Sequence, residues 1–525
     1  MASHTHLQEE LAQSSEKISV NTQHGTIRGR RAANGAAVFL EVPYALPPKR
    51  FADPVPLPTY YKYENKEYIL ESKHCAQPKN DGQAASVPYE DKVGLGEPSE
   101  DPLFVNIVAP SSFPEKTGFP VKVYIHGGFL QFGSPHGLSA QAQSVSAERD
   151  EVWVNIGYRL SAFGFLACDK PEVLGNFGFK DQWLGLQWIQ KNIQAFGGDP
   201  NNVTLTGLSA GAHSVHQILH HTSRLPEGVS APFHRAILQS NAIATTPKTT
   251  SELRAQYAAL CGALDLDPTS PASLDALRDT TSVPFAKLTH LIETDAVGTE
   301  YGTYRGAWEP VWLGPEDTMD WQRSGGLARG LRAHGVRSVV IGDLSEEWYL
   351  YSIAHPVSTL ADVERNLERY YHTDVVKKML KIYLAEKGEP ATPEEAARAF
   401  GEVLSEGQVH LPVRLFARDM LAAGFPVVRY EIRWTPEQLR PLGYVTHATD
   451  RAFWALKTEW MTPEQTAVAR AFLDAVDEHI VTAEEGQPMG LKTILALTED
   501  KRVVEEEDMK WDQMTRMRTT LPGEY

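Results

Sequence analysis

The sequence predicts an α/β fold with a large, mostly parallel central sheet flanked by helices. Three observations lead there. Short, apolar, β-rich runs recur at Val121–Ile125, Val152–Ile156, Val203–Thr206, Ala236–Leu238, Val339–Ile341 and Val427–Ile432, and continuous apolar runs of this length read as strands buried on both faces. Helix-like stretches lie between several of them, as parallel crossovers require. The chain has 525 residues and is 42% hydrophobic, enough for a large interior without disulfides or metals to staple it.

The first residues, Met1 to Lys17, are polar and read as a tail (1–17). They lack the apolar core of a signal peptide, and no later stretch approaches the roughly 18 uncharged apolar residues of a membrane span. The remainder, 18–525, contains no Gly/Ser-rich or Pro-rich linker, no low-complexity tract and no repeat, so it reads as one domain with long insertions. A net charge of −17 argues against a nucleic-acid backbone or an anionic membrane as partner. Cys75, Cys168 and Cys261 are too few for a disulfide framework and share no metal-ligand spacing. Together these features predict a cytoplasmic protein with no metal and no cofactor.

Helix starts are legible in the second half. Thr392-Pro393-Glu394-Glu395 and Thr462-Pro463-Glu464-Gln465 each put a capping hydroxyl before a first-turn proline, with an acidic or amide side chain three residues on.

The chemistry enters at Gly207-Leu208-Ser209-Ala210-Gly211, between the strand-like Val203–Thr206 and the helix-like Ala212–His221. That is the setting of a nucleophile elbow, in which flanking glycines let the chain turn sharply and lift the serine hydroxyl out of the sheet. With 39 glycines in the chain, the bare pentapeptide is weak. The longer run Phe196-Gly197-Gly198-Asp199-Pro200-Asn201-Asn202-Val203-Thr204-Leu205-Thr206-Gly207-Leu208-Ser209-Ala210-Gly211 is decisive, because it resembles in full the active-serine signature of the type-B carboxylesterase/cholinesterase family.

The resemblance covers most of the chain and implies an α/β-hydrolase fold with long insertions forming a gorge. Val42–Pro48 looks like the family's N-terminal strand and turn, Tyr124–Gly128 like its oxyanion loop, and Tyr158-Arg159-Leu160 with Phe163-Gly164-Phe165 like its following strand. Glu100-Asp101-Pro102-Leu103 resembles a second signature with Pro102 in place of its cysteine, which implies that Cys75 is a free thiol. Glu100 and Arg159 fall where the family carries a structural ion pair.

A serine hydroxyl needs a general base held by an acid, and the fold orders them serine, acid, histidine. Among Asp343, Glu346 and Glu347 after Val339–Ile341, the resemblance selects Glu347 as the acid; in Gly443–Asp450 it selects His447 as the base. Backbone N–H donors for the oxyanion are implied at Gly128, Phe129 and Ala210. Phe129 departs from the glycine that many members carry there, and a side chain at that place is expected to narrow the site.

The sequence thus predicts a serine carboxylic-ester hydrolase working by an acyl-enzyme on a small-molecule ester. Leu208 stands where cholinesterase-like members carry a glutamate, so neutral, fairly apolar esters are the expected class. Trp308 and Trp312 are read by default as core-packing residues, with lining of the gorge as the open alternative. Two other readings stay open: an acyl-transferase or lactone-forming enzyme using the same acyl-enzyme, and a catalytically silent binding module.

Overall fold

A computed structural model describes residues 5–79 and 87–525. Its strands in chain order are β1 (Lys17–Thr22), β2 (Gly25–Arg31), β3 (Ala37–Pro43), β4 (Lys73–Cys75), β5 (Glu97–Ser99), β6 (Phe104–Ala109), β7 (Phe119–Ile125), β8 (Val152–Ile156), β9 (Gly198–Leu208), β10 (Arg235–Gln239), β11 (Ser338–Leu344), β12 (Val427–Ile432), β13 (Thr493–Leu497) and β14 (Val503–Glu507). Twelve of them form one sheet in the order β1-β2-β3-β6-β8-β7-β9-β10-β11-β12-β13-β14. From β8 to β13 every pairing is parallel; β1, β2, β3 and β6 at one edge and β14 at the other pair antiparallel.

All six runs read as strands lie in this parallel centre. Their apolar continuity has the expected cause: Val339 and Ile341 of β11 pack into one core cluster, whereas Val340 and Leu344 pack into another on the opposite face. Helices therefore cover both sides. The first cap works as read, with Thr392 Oγ1 accepting the Glu395 N–H at 3.2 Å, although Glu395 reaches back to the Ala391 N–H and not to Thr392. Thr462 and Gln465 form a reciprocal capping box at 3.2 and 2.9 Å.

Three local features differ from the sequence reading or complete it. Within the stretch read as a polar tail, Leu7–Gln13 forms a helix, because Leu7 and Leu11, one turn apart, bury against Val38, Leu40 and Val108. Glu100 and Arg159 are not a pair. Arg159 is held by Asp181 of the helix Phe177–Asn192 through Nε at 2.8 Å and Nη2 at 2.7 Å, and Asp181 also accepts the Arg159 backbone N–H. That fork saturates a fully buried carboxylate, so Glu100 bonds Arg50 instead. Cys75, Cys168 and Cys261 are all buried and unpaired, and burial pushes the Cys75 thiol up to about 12.

Candidate active site

The elbow stands between β9 and the helix Ala210–Thr222. Ser209 has φ 59° and ψ −124°, a conformation that costs a non-glycine residue on the order of 1–3 kcal/mol and persists only when its surroundings hold it. They do: the Ser209 N–H donates to Gln239 O of β10 at 2.8 Å. The turn also needs its two glycines, since a Cβ on Gly207 would lie 2.3 Å from Gly211 C, and one on Gly211 would lie 2.0 Å from Ile125 O.

Beyond the end of β11, Glu347 is fully buried and begins the short helix Trp348–Ser352. Its Oε2 meets Nδ1 of His447 at 2.6 Å, while Oε1 accepts the Leu344 N–H at 3.0 Å. Thr446 ties the two loops together, donating to Glu347 O at 3.3 Å and accepting the Leu350 N–H at 3.2 Å. The ring of Tyr351 stands edge-on to His447 at 5.2 Å. On its other side, Nε2 of His447 is buried with no hydrogen-bond partner among the described residues. Ser209 and His447 line one cavity of 880 Å³.

The other two carboxylates are engaged elsewhere. Glu346 accepts the Val445 N–H at 2.8 Å. Asp343 bonds His410 at 2.7 Å and Arg414 at 2.8 Å; burial alone would raise its carboxyl, but Arg414 and His410 hold it well below the usual range. Asp450, which the sequence reading treated only as the acid downstream of His447, is fully buried. Burial first and the charge of Glu347 second push it up to about 6. Its Oδ2 accepts from Trp454 Nε1 at 2.9 Å, a partner four residues on that a lone aspartate in a loop does not announce.

The loop after β7 supplies free donors. Gly128, Phe129 and Leu130 have φ of 109°, 54° and 66°. A Cβ on Gly128 would fall 2.0 Å from Phe132 O, so only glycine fits there. Phe129 is kept in the left-handed region by Gln131, whose Nε2 donates to Phe129 O at 2.8 Å and Tyr304 O at 2.6 Å. The N–H groups of Gly128, Phe129 and Ala210 make no hydrogen bond to any described residue.

One expectation about the walls is corrected and one open question is answered. The Phe129 ring is not part of the cavity that Ser209 and His447 share; it packs on Tyr351 and Tyr370, at 5.8 and 5.9 Å between ring centres, because the left-handed backbone turns it toward that aromatic cluster. Trp308 and Trp312 do not line the cavity either. Trp312 stacks on His221 at 3.7 Å, and Trp308 faces a separate recess. Leu208 and Tyr124 do line it, with His126, Leu439 and Trp460. Among the described residues no group of His, Cys, Asp and Glu is placed to hold a metal ion, and no helix is long and apolar enough to cross a membrane.

A sequence profile of the carboxylesterase family matches residues 16–521. The chain belongs to the carboxylesterase family. This carboxylesterase is 28% identical over 522 residues to an uncharacterized esterase/lipase of Schizosaccharomyces pombe, across 93% of this chain and 92% of that protein. It is 31% identical over 446 residues to a carboxylic ester hydrolase of Gibberella moniliformis, across 79% and 78% of the two chains. Among solved structures, a PNB esterase superposes with a TM-score of 0.73 over 95% of this chain and 99% of that one, at 24% identity, which shows the α/β-hydrolase fold. The carboxylesterase is thus an enzyme that hydrolyses carboxylic esters.

Proposed function

We propose that Ser209, His447 and Glu347 form a catalytic triad, and that hydrolysis runs through an acyl-enzyme on Ser209. One observation carries the reading: His447 is held by Glu347 at 2.6 Å through Nδ1, while its Nε2 is left without a partner beside the cavity that also holds the strained Ser209. With Nδ1–H donated to Glu347, the neutral ring has its lone pair on Nε2, the tautomer a general base needs.

In this mechanism Ser209 Oγ attacks the ester carbonyl as its proton passes to His447 Nε2. The tetrahedral oxyanion is met by the unengaged N–H groups of Gly128, Phe129 and Ala210, each of which contributes about 3 kcal/mol in comparable sites. His447 returns the proton to the leaving alcohol. Water then repeats the sequence on the acyl-enzyme and releases the acid. The part of the substrate beside Ser209 is neutral and fairly apolar, since Leu208, Leu439 and Trp460 line that cavity and the nearest acidic group at the elbow position of cholinesterase-like members is replaced by Leu208. Residues 18–525 act as one domain, and the cytoplasm is the proposed location, where buried unpaired thiols such as Cys75 persist.

The test is labelling with a fluorophosphonate and mapping of the modified peptide. Label on Ser209, lost in Ser209→Ala together with ester hydrolysis, is expected; label on another serine would overturn the triad. Turnover in the presence of added alcohols, with product analysis, separates hydrolysis from acyl transfer.

A further inference from the structure

A second cavity, of 350 Å³, lies behind the elbow. His213 forms part of its wall, and the His213 N–H donates to Ser209 O at 3.0 Å, so this wall is one helical turn from the nucleophile. Unlike the apolar cavity at Ser209, it is built around a guanidinium. Arg305 projects into it and donates through Nη2 to His213 Nδ1 at 3.3 Å and to Gln408 Oε1 at 3.2 Å, with the Tyr370 ring beneath at 5.3 Å.

No carboxylate answers that charge. The acidic side chains of the cavity, Glu252, Glu300 and Glu368, make no ion pair with Arg305 among the described residues, and Arg305 Nη1 is sealed from water without a hydrogen-bond partner. Three fully buried arginines do have carboxylate partners, Arg159 with Asp181, Arg414 with Asp343 and Asp508, and Arg429 with Asp508, whereas Arg451, like Arg305, has no ion pair among the described residues and leaves Nη1 and Nη2 without hydrogen-bond partners. An arginine does not escape by losing its proton, so a sheltered guanidinium without a counter-charge is destabilising unless an anion completes it.

Two further cations line the cavity, Arg369, which is paired with Asp295, and Lys248, on which Glu252 and Glu368 act electrostatically. The Lys248 ammonium makes no hydrogen bond or ion pair to a described residue. Burial and then Arg305 push His213 well below its usual range, so its ring is neutral and accepts from Arg305 without adding a competing hydrogen-bond demand. Gln408 is aimed by a π-helical turn, Glu406–His410, and is fixed through its Nε2 to Tyr371 Oη at 2.8 Å. Such turns are rare and concentrate at functional sites.

We propose that this cavity is a binding subsite for a small carboxylate, with Arg305 as its principal ligand and Lys248 as its second cation. A carboxylate matches the planar fork of one guanidinium. It is also the anion that ester hydrolysis itself releases, which favours it over phosphate. Its source is either the free carboxylate of a half-ester substrate or a separate acid such as a product.

Titration of Ser209→Ala protein with glutarate tests the site without turnover, so its outcome does not depend on the proposed mechanism; fluorophosphonate labelling tests that mechanism separately. Saturable glutarate binding is expected, weakened at least tenfold by adding Arg305→Gln and less by adding Lys248→Gln. Arg305→Gln is also expected to raise the melting temperature of the ligand-free protein, whereas an arginine with a purely structural role would leave it lower. Arg305→Lys keeps the charge and loses the fork, and covers the case in which the glutamine variant folds poorly.

The kinetic arm rests on Ser209 as nucleophile and compares p-nitrophenyl glutarate with p-nitrophenyl valerate. A tenfold fall in their kcat/KM ratio in Arg305→Gln assigns the carboxylate to the substrate. An unchanged ratio, with valerate turnover altered by free glutarate only when Arg305 is present, assigns it to a separate acid. No saturable binding, binding indifferent to Arg305, or tighter binding of inorganic phosphate than of glutarate would overturn the proposal.

Discussion

Two carboxylate–imidazole pairs stand near the end of β11, and their bond lengths are nearly the same. Glu347 meets His447 at 2.6 Å, and Asp343 meets His410 at 2.7 Å. Their surroundings differ. Asp343 is also gripped by Arg414, which reaches Asp508, which in turn holds Arg429, so His410 joins a closed ion-pair network away from the cavity at Ser209. Among the described residues no lysine or arginine pairs with Glu347; its second oxygen goes to a backbone N–H, and the far nitrogen of His447 has no partner. The hydrogen bond between a carboxylate and an imidazole therefore does not define a catalytic pair. The third neighbour and the unpartnered far end of the ring set the two pairs apart.

Substitutions in the two pairs should fail in opposite ways. His447→Ala should lose about as much as Ser209→Ala, on the order of 10⁶ in kcat, because triad members act as a unit. Glu347→Gln should cost about 10⁴ by favouring the wrong tautomer while leaving the melting temperature nearly unchanged. Asp343→Asn should do the reverse: it leaves Arg414 short of a buried counter-charge, so about 3–5 kcal/mol of stability is expected to go, with kcat of the folded fraction close to wild type. Steady-state kinetics paired with denaturant unfolding would check both, and a large kcat loss in Asp343→Asn at intact stability would move the acid.

The contrast also has a pH signature. Asp450 is near Glu347 but has no ion pair, and its folded pKa, raised by burial to about 6, lies above the ordinary 3.8. Its contribution to stability is therefore fully present below about pH 4 and is lost as pH rises through 6. Asp450→Asn removes that loss, so the variant should be more stable above pH 6, by up to about 3 kcal/mol, with the difference vanishing near pH 4. On the other side the sign is opposite: Asp343, held low by Arg414 and His410, gives stability above its unfolded pKa and loses it in acid. Unfolding curves from about pH 2 to 8 for both variants read the two slopes, that of Asp450 between about pH 4 and 6 and that of Asp343 below about pH 4, and parallel slopes would erase the contrast. The smallest effect is expected at Glu346→Gln, which loses one backbone hydrogen bond to Val445.

How far the sequence carried depended on whether a feature is written locally. The six parallel strands were legible because a strand covered on both faces has to be apolar throughout, as in β11. The elbow was legible because its geometry demands glycine at Gly207 and Gly211. Glu347 and His447, 100 residues apart, could be picked because each sits in a short recognisable loop, and the structure brings them together. What stayed hidden depends on packing between distant segments. Nothing near Arg159 says that Asp181 will claim it, and nothing near Phe129 says that Tyr351 and Tyr370 will draw its ring aside. Nothing near Arg305 marks it either, since a missing counter-charge is visible only once the neighbours are in place.

In the proposed mechanism Glu347, not Asp343, tunes the histidine that activates Ser209. The most direct measurement is the rate at which a fluorophosphonate modifies Ser209 in wild type, Glu347→Gln and Asp343→Asn, each normalised to its folded fraction. The rate is expected to be lower by orders of magnitude in Glu347→Gln and close to wild type in Asp343→Asn. Undiminished labelling in Glu347→Gln, or a collapse confined to folded Asp343→Asn, would contradict that mechanism.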